Sequence, residues 1–305
     1  MQNVCINRKK NTPLLGQELK EYRKKKGLSQ SDLAEKLDVS QVHVSRIENR
    51  GGPVSARLYS KIAKLANLAP LEPSFKGSVF TDKTWRFCRF AYPDLSGDYV
   101  SINSKSFQNK SVAVHSDSAG SDLTAAHDAE LLQVAVESAL AGNSELRVTP
   151  ESVLVALNQT YRNTRNLWRA EPSINLFFMN KKADSVLFLG AGMPPVYVYR
   201  SAENSLTPVI ARNWPPVGRL DKDEPPVSCQ LVLAEGDMLF SFSDGFLEEF
   251  RRSGKDDLEV QLRAIAKAQR SDVEGVGAKL LRALQDRLRN RRLIDDISFL
   301  IVSRG

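Results

Sequence analysis

Cysteine is scarce and scattered. Cys5, Cys88 and Cys229 are the only three among 305 residues; they form no Cys-x-x-Cys pair, and an odd number cannot all close into disulfides. Reduced thiols in a cytoplasmic protein are therefore the expectation. Long apolar runs are missing as well. None approaches the roughly 20 residues of a membrane span, so no membrane partner is expected. The opening MQNVCINRKKNTP carries no apolar core of the signal-peptide kind. Histidine occurs three times, and the chain offers no credible Cys or Ser triad for covalent catalysis. What is present suits a folded protein: 42% hydrophobic residues, 26% charged residues and a length fit for two domains.

The net charge of +7 is unevenly placed. Residues 1–70 hold 14 Lys and Arg against 6 Asp and Glu, whereas residues 71–305 hold 29 against 30. The basic excess belongs to the first segment and points there to a polyanion partner. A solvated basic face is the plainer alternative. Residues 1–13 read as a flexible tail. From Leu14 the pattern is helical, with Leu15, Leu19 and Tyr22 on one face and Gly27 closing the helix. Ser29 with Asp32 reads as a capping box opening QSDLAEKL, whose inward residues are Leu33, Ala34 and Leu37. Asp38-Val39 turns the chain. Ser40 then caps QVHVSRIEN, with Val44 and Ile47 inward, and Gly51-Gly52-Pro53 breaks it. A further helix carries Leu58, Ile62 and Leu65.

Helix, short turn, helix with a polar outward face is the layout of a helix-turn-helix. The run GLSQSDLAEKLDVSQVHVSRIENR resembles the lambda-repressor/Cro-like family. That resemblance implies DNA binding through residues 14–68. Gln41, Val42, Ser45 and Arg46 would face the major groove, and Gln30, Asn49 and Arg50 would hold phosphate. Gln and Arg can pair bidentately with base edges. His43 reads as an exposed bystander, with a base or phosphate contact as the alternative. A protein-binding role for the whole segment is the other alternative.

Residues 69–80 read as a linker, and Trp85 and Phe87 alternate like a strand entering a second domain, 81–305. Within it, four separated aspartate positions fall at the edges of strand-like runs. They are LSGDYV with Asp98, VAVHSDSAG with Asp117, LFSFSDG with Asp244, and RLIDDISFLIV with Asp295 and Asp296. A strand ending on an acid delivers a carboxylate to the rim of a sheet, and Gly245 is expected to let the backbone turn there. DYVSINSKSFQNKSVAVHSD reads as a hairpin that would bring Asp98 and Asp117 to one end. Four such acids suit a hard cation, because Mg²⁺ and Mn²⁺ take carboxylate and water oxygens. Each alone would be an ordinary cap or turn.

The runs SGDYV, HSDSAGSDLTAAH, GAGMPPVYVYR, NWPPVGRL, EGDMLFSFSDGFLEE and DDISFLIVSR occur in the order and spacing of the metal-dependent protein serine/threonine phosphatases. The SpoIIE/RsbU-type branch is the most similar, over about residues 90–305. The resemblance implies an α+β chain, an all-α helix-turn-helix domain followed by an α-β-β-α sandwich. It implies two Mn²⁺ or Mg²⁺ ions, with Asp117 bridging them beside the Ser118 carbonyl. Asp244 and Asp295 would complete the second ion's shell, Asp98 would act on the first ion directly or through water, and Asp296 would stand behind them. A metal-activated water would then attack phosphorus, which suits a chain with no protein nucleophile. Gly120-Ser121-Asp122 departs from the family's Gly-His/Lys-Gly and leaves no imidazole or basic donor in that loop. His115 and His127 lie near it and read as packed or solvated rather than as ligands.

The implied function is a phosphoserine/phosphothreonine protein phosphatase coupled to DNA binding. Its substrate would be a phosphorylated switch protein of the anti-sigma-factor-antagonist kind, and a homodimer is left open. The alternative is a DNA-binding regulator whose phosphatase-like domain serves as a sensor or dimerisation module. Arg162, Arg165 and Arg169 read as a solvated helix face, with a phosphorylated partner as the alternative. The helical stretch 256–290 is expected to part near Gly275 and Gly277.

Overall fold

In the computed structural model the chain divides into two compact units, Met1–Glu72 and Pro73–Gly305. The structure describes residues 12–50, 58, 61–62, 65, 78–81, 84–92, 97–107, 109–118, 123–141, 148–221, 223–252, 258–269, 272–288 and 295–304. The tail, most of the linker and the Gly120-Ser121-Asp122 loop lie outside them, as does much of the helix expected around Leu58.

The first unit is helical: α1 (Thr12–Lys25), α2 (Gln30–Leu37) and α3 (Gln41–Arg50). The capping box forms as the sequence predicts: Ser29 Oγ accepts from the Asp32 amide at 3.0 Å, and Asp32 Oδ2 accepts from the Ser29 amide at 2.7 Å. Asp38 ends α2 in the left-handed region at φ 60°, tolerated because its short polar side chain suits that conformation. Leu19, Leu33, Ala34, Leu37, Val44, Ile47, Leu58 and Ile62 meet in one buried cluster. These are the inward positions that the 3.6-residue period marks.

The second unit is a sandwich. One sheet runs β1 (Ser78–Thr81), β2 (Trp85–Tyr92), β12 (Ile297–Arg304), β11 (Met238–Phe242), β7 (Tyr197–Arg200), β8 (Ser205–Pro208). The other runs β10 (Cys229–Val232), β6 (Ser185–Ala191), β5 (Ser173–Asn180), β4 (Lys110–Asp117), β3 (Tyr99–Phe107), with β9 (Asn213–Trp214) beside β6. The linker read over 69–80 is thus shorter at its end, since Ser78–Thr81 already pair with β2.

Strand alternation builds the layers. Along β12, Ile297, Phe299 and Ile301 point outward to α6 (Asp244–Arg252), α7 (Leu258–Ala268) and α8 (Val273–Leu288), while Leu300 and Val302 point to the other sheet. Along β5, Ile174, Leu176 and Phe178 pack under α4 (Leu123–Ala141) and α5 (Pro150–Asn163), while Phe177 and Met179 face inward. Both faces of each sheet are covered, so the central strands read as continuous apolar runs. Helices therefore lie outside both sheets, giving the α-β-β-α order.

Two local expectations change. The helical stretch parts at 269–272, and Gly275 and Gly277 lie inside α8. Gly277 is there for close approach: a Cβ would stand 2.4 Å from Cys88 Sγ. Burial, and then Glu274 and Asp272, push that cysteine thiol up to about 12. Arg162 and Arg165 are exposed, yet their guanidinium groups are used internally. Arg162 bonds the Gly218 and Leu220 carbonyls, and Arg165 bonds the Trp168 carbonyl and lies over the Tyr161 ring. Cys88 and Cys229 are free thiols. Among the described residues no helix is long and apolar enough to cross a membrane.

Candidate functional site

Four strand ends converge at one rim of the sandwich. Asp98 precedes β3 and Asp117 ends β4, and the two strands pair antiparallel from Tyr99 opposite Ser116. Ser118 follows, its amide donating to the Gly97 carbonyl at 3.1 Å. On the facing sheet β11 ends at Phe242, Ser243 makes the joint, and Asp244 opens α6. That helix is fixed by aromatic packing: Phe242, Phe246 and Phe250 stack in series at 4.5 and 4.7 Å between ring centroids, and Phe246 meets Phe299 edge-on. Asp295 and Asp296 lead into β12. Asp296 Oδ2 accepts from the Gly97 amide at 2.8 Å, which ties the β12 approach to the β3 approach.

Gly245 does not turn the chain as expected, since α6 simply continues through it. Its role is steric: a Cβ would stand 2.1 Å from the Asp296 carbonyl oxygen and 3.1 Å from Asp295 Cβ. The first turn of α6 thus lies directly on the 295–296 backbone.

The electrostatics of the rim are those of an acid cluster. Asp98 is buried, Asp117 and Asp295 are half-buried, and Asp244 is exposed, so the acids run from the interior to solvent. Burial raises the proton affinity of Asp98; hydrogen bonds from Ser298 and Ser243 oppose the rise, and Asp296 and Asp244 add to it. Burial raises Asp117 too, reinforced by Asp98, Asp244 and Asp295. The charges acting on both are other carboxylates, and a hard cation would relieve them all. Ser118 Oγ is buried beside Asp117 with no hydrogen-bond partner among the described residues. Among the described residues no three acid, imidazole or thiol groups stand close enough together to hold a metal ion as they are placed. It is thus the donor chemistry, oxygen throughout and in excess of any counter-charge, that fits Mg²⁺ or Mn²⁺.

Behind the rim lies a polar cluster that sequence reasoning missed. His115, Asn175, Ser241 and Ser298 occupy inward positions of β4, β5, β11 and β12, and each is buried. His115 Nδ1 is 2.7 Å from Ser241 Oγ, and Nε2 is 2.7 Å from Ser298 Oγ. Asn175 Nδ2 donates to Ser241 Oγ at 3.0 Å. Burial drives the His115 ring down to about 3, so it is neutral. The available signal was four polar residues at inward register in otherwise apolar strands. Asp128 was also missed: fully buried, it accepts the Arg169 and Ala170 amides at 3.0–3.1 Å and ties α4 to the segment after α5. His127 is exposed on α4.

In the first unit, Gln41, Val42, Arg46 and Asn49 are exposed along α3, with Ser45 between them half-buried. The Arg50 side chain lies outside the described residues. His43 is half-buried rather than exposed. Gln30 reaches Glu48 at 3.0 Å and accepts from Gln41 at 3.2 Å, while Asn49 donates to Ser45. Arg23 grips Glu48 through two bonds of 2.6 and 2.9 Å. The expected groove-facing residues therefore share one face, and an ion pair braces that face from behind.

The family model described as Stage II sporulation protein E (SpoIIE) matches residues 108–305. The chain belongs to the SpoIIE family. A helix-turn-helix model matches residues 19–72. Solved structures agree on the fold of the SpoIIE domain. The RsbU and RsbW domains of Rv1364c from Mycobacterium tuberculosis align at TM-score 0.59 and 18% identity over 72% of this chain and 60% of that one. The phosphatase domain and a regulatory fragment of SpoIIE from Bacillus subtilis align at 0.57 and 18% over 81% and 75%. RsbX in complex with magnesium aligns at 0.55 and 13% over 75% and 100%. Comparison with curated proteins gives no significant match. SpoIIE-family phosphatases are metal-dependent.

Proposed function

We propose that the chain is a metal-dependent phosphoserine/phosphothreonine protein phosphatase coupled to sequence-specific DNA binding. The observation that carries this reading is the gathering of Asp98, Asp117, Asp244 and Asp295 from both sheets at one rim of a SpoIIE-family domain. Asp117, the Ser118 carbonyl, Asp244 and Asp295 would hold the ions, with Asp98 acting on the first from the interior. The ions, Mn²⁺ or Mg²⁺, supply an activated water and charge neutralisation at phosphorus. The protein's own part is to hold the acids in register at the rim. A phosphorylated switch protein, of the kind that antagonises an anti-sigma factor, is the proposed substrate, and residues 14–68 are the proposed DNA-binding segment.

Hydrolysis of p-nitrophenyl phosphate with Mn²⁺, with Mg²⁺ and with a chelator tests the enzyme. Turnover should require the ion and should vanish in Asp244→Asn with the fold retained; survival of activity in that variant would show the site to be misassigned. For the DNA half, the observation is the exposed Gln41-Val42-Arg46-Asn49 face. Arg46→Ala should weaken operator binding in a mobility-shift assay by about 1–3 kcal/mol, the worth of one bidentate base contact. Undiminished binding would sink the choice of α3. Ser121-Asp122, where the family carries an imidazole or basic donor, keeps the sensor-module reading in play. That reading requires DNA binding with no turnover under any ion.

A further inference from the structure

The four polar residues behind the rim form a line. Asn175 lies on β5, His115 opposite it on β4, and Ser241 and Ser298 on β11 and β12 of the facing sheet. Ser298 also hydrogen-bonds Asp98. The line thus runs from one sheet, across the sandwich, back and across again, and ends on an acid of the rim. Its members have almost no contact with solvent: Asn175 is 1% exposed, and Ser241, His115 and Ser298 are 0%.

One arrangement of protons satisfies both hydroxyls and the ring. Asn175 Nδ2 donates to Ser241 Oγ, whose own proton can then go to His115 Nδ1. With Nδ1 accepting, the neutral ring carries its proton on Nε2 and donates it to Ser298 Oγ. Ser298 then has one proton left, which it gives to the Asp98 carboxylate. In that arrangement each hydroxyl accepts once and donates once, while Asn175 Oδ1 is buried with no partner among the described residues. Aligned hydrogen bonds of this kind polarise one another in a low-dielectric interior.

We propose that His115 and Ser298 are positioning residues for Asp98: the line Asn175–Ser241–His115–Ser298 aims a hydrogen-bond donor at that carboxylate and fixes its orientation toward the rim. Such a fixed donor answers a definite difficulty. A buried acid among other acids gains by turning away from them, and a donor anchored in both sheets opposes that. Ser243 assists, since its hydroxyl also bonds Asp98 while accepting from the Ser298 amide at 2.9 Å. The inference rests on the reading of the rim as a metal site. It adds to that reading a set of residues that touch neither ion nor substrate.

The test uses the full chain and two readouts that do not depend on turnover. Calorimetric titration with Mn²⁺ should show Ser298→Ala binding about tenfold or more weakly, the usual effect of removing a partner that orients a ligand. Ser298→Thr, which keeps the hydroxyl on a strand that tolerates β-branching, should recover most of the affinity. Ser241→Ala, one step further from Asp98 and smaller by a single hydroxyl, should give a weaker loss in the same direction. Nitrogen-15 NMR of the wild type should find the His115 proton on Nε2. A Ser298→Ala protein that binds Mn²⁺ as the wild type does, or a proton found on Nδ1, would overturn the proposal. Failure of the metal reading looks different: a wild type that takes neither Mn²⁺ nor Mg²⁺ removes the site and this inference together.

Discussion

Gly245 is the residue whose replacement reports most directly on the rim. An alanine there would place its methyl carbon 2.1 Å from the Asp296 carbonyl oxygen, so either α6 or the approach to β12 must move. Overpacking of this kind costs about 1–3 kcal/mol, and here it also moves the first turn of α6, which carries Asp244, against the 295–296 approach. Gly245→Ala should therefore lower the urea midpoint and weaken Mn²⁺ binding together; a variant with both unchanged would show that the close contact is unimportant. The aspartates themselves were legible in the sequence because each borders an apolar run, and a run's edge is visible without knowing its partner. The reason for Gly245 was not, because the atom that excludes a Cβ comes from 51 residues later in the chain. His115 was equally opaque: its two partners lie 126 and 183 residues away.

At the scale of elements, the α1–α3 pair is braced by Glu48. Burial pushes its carboxyl upward, but hydrogen bonds from Arg23 and Gln30 outweigh that, and the net direction is down. An acid whose folded pKa lies below its unfolded value contributes stability that is present above the unfolded value, about 4.3 for glutamate, and is lost as pH falls through the folded one. Amide exchange in α1–α3 of the full chain should therefore quicken as pH drops below about 4, and Glu48→Gln should remove that acid-specific step. Equal pH dependence in both proteins would show that another group sets it. Element identity was largely readable here: caps, periodicity and turn residues are local, and α1–α3 and most strands fall where they predict. The break between α7 and α8 was misplaced because a helix accepts glycine where a neighbour, here Cys88, demands close approach. Sequence shows the glycine and not the neighbour.

At the scale of the whole molecule, two units carry two chemistries, a basic helical one and a sandwich of near-neutral charge. The order of layers followed from the doubly covered strands, whereas which strands are neighbours depended on pairing across the chain. The rim draws Asp98 and Asp117 from one sheet and Asp244 and Asp295 from the other. An ion held by both sets would act as a further clasp between the two sheets. Folding and ion uptake are then thermodynamically linked: ion at a hundred times its dissociation constant adds about 2.7 kcal/mol to the stability of the sandwich, and each further tenfold adds about 1.4. The melting temperature of the second unit should rise with the logarithm of Mn²⁺ concentration and fall on chelation, and a melting curve indifferent to the ion would count against a site shared by both sheets. A cell that starved such a protein of divalent cation would be loosening its fold as well as silencing its chemistry.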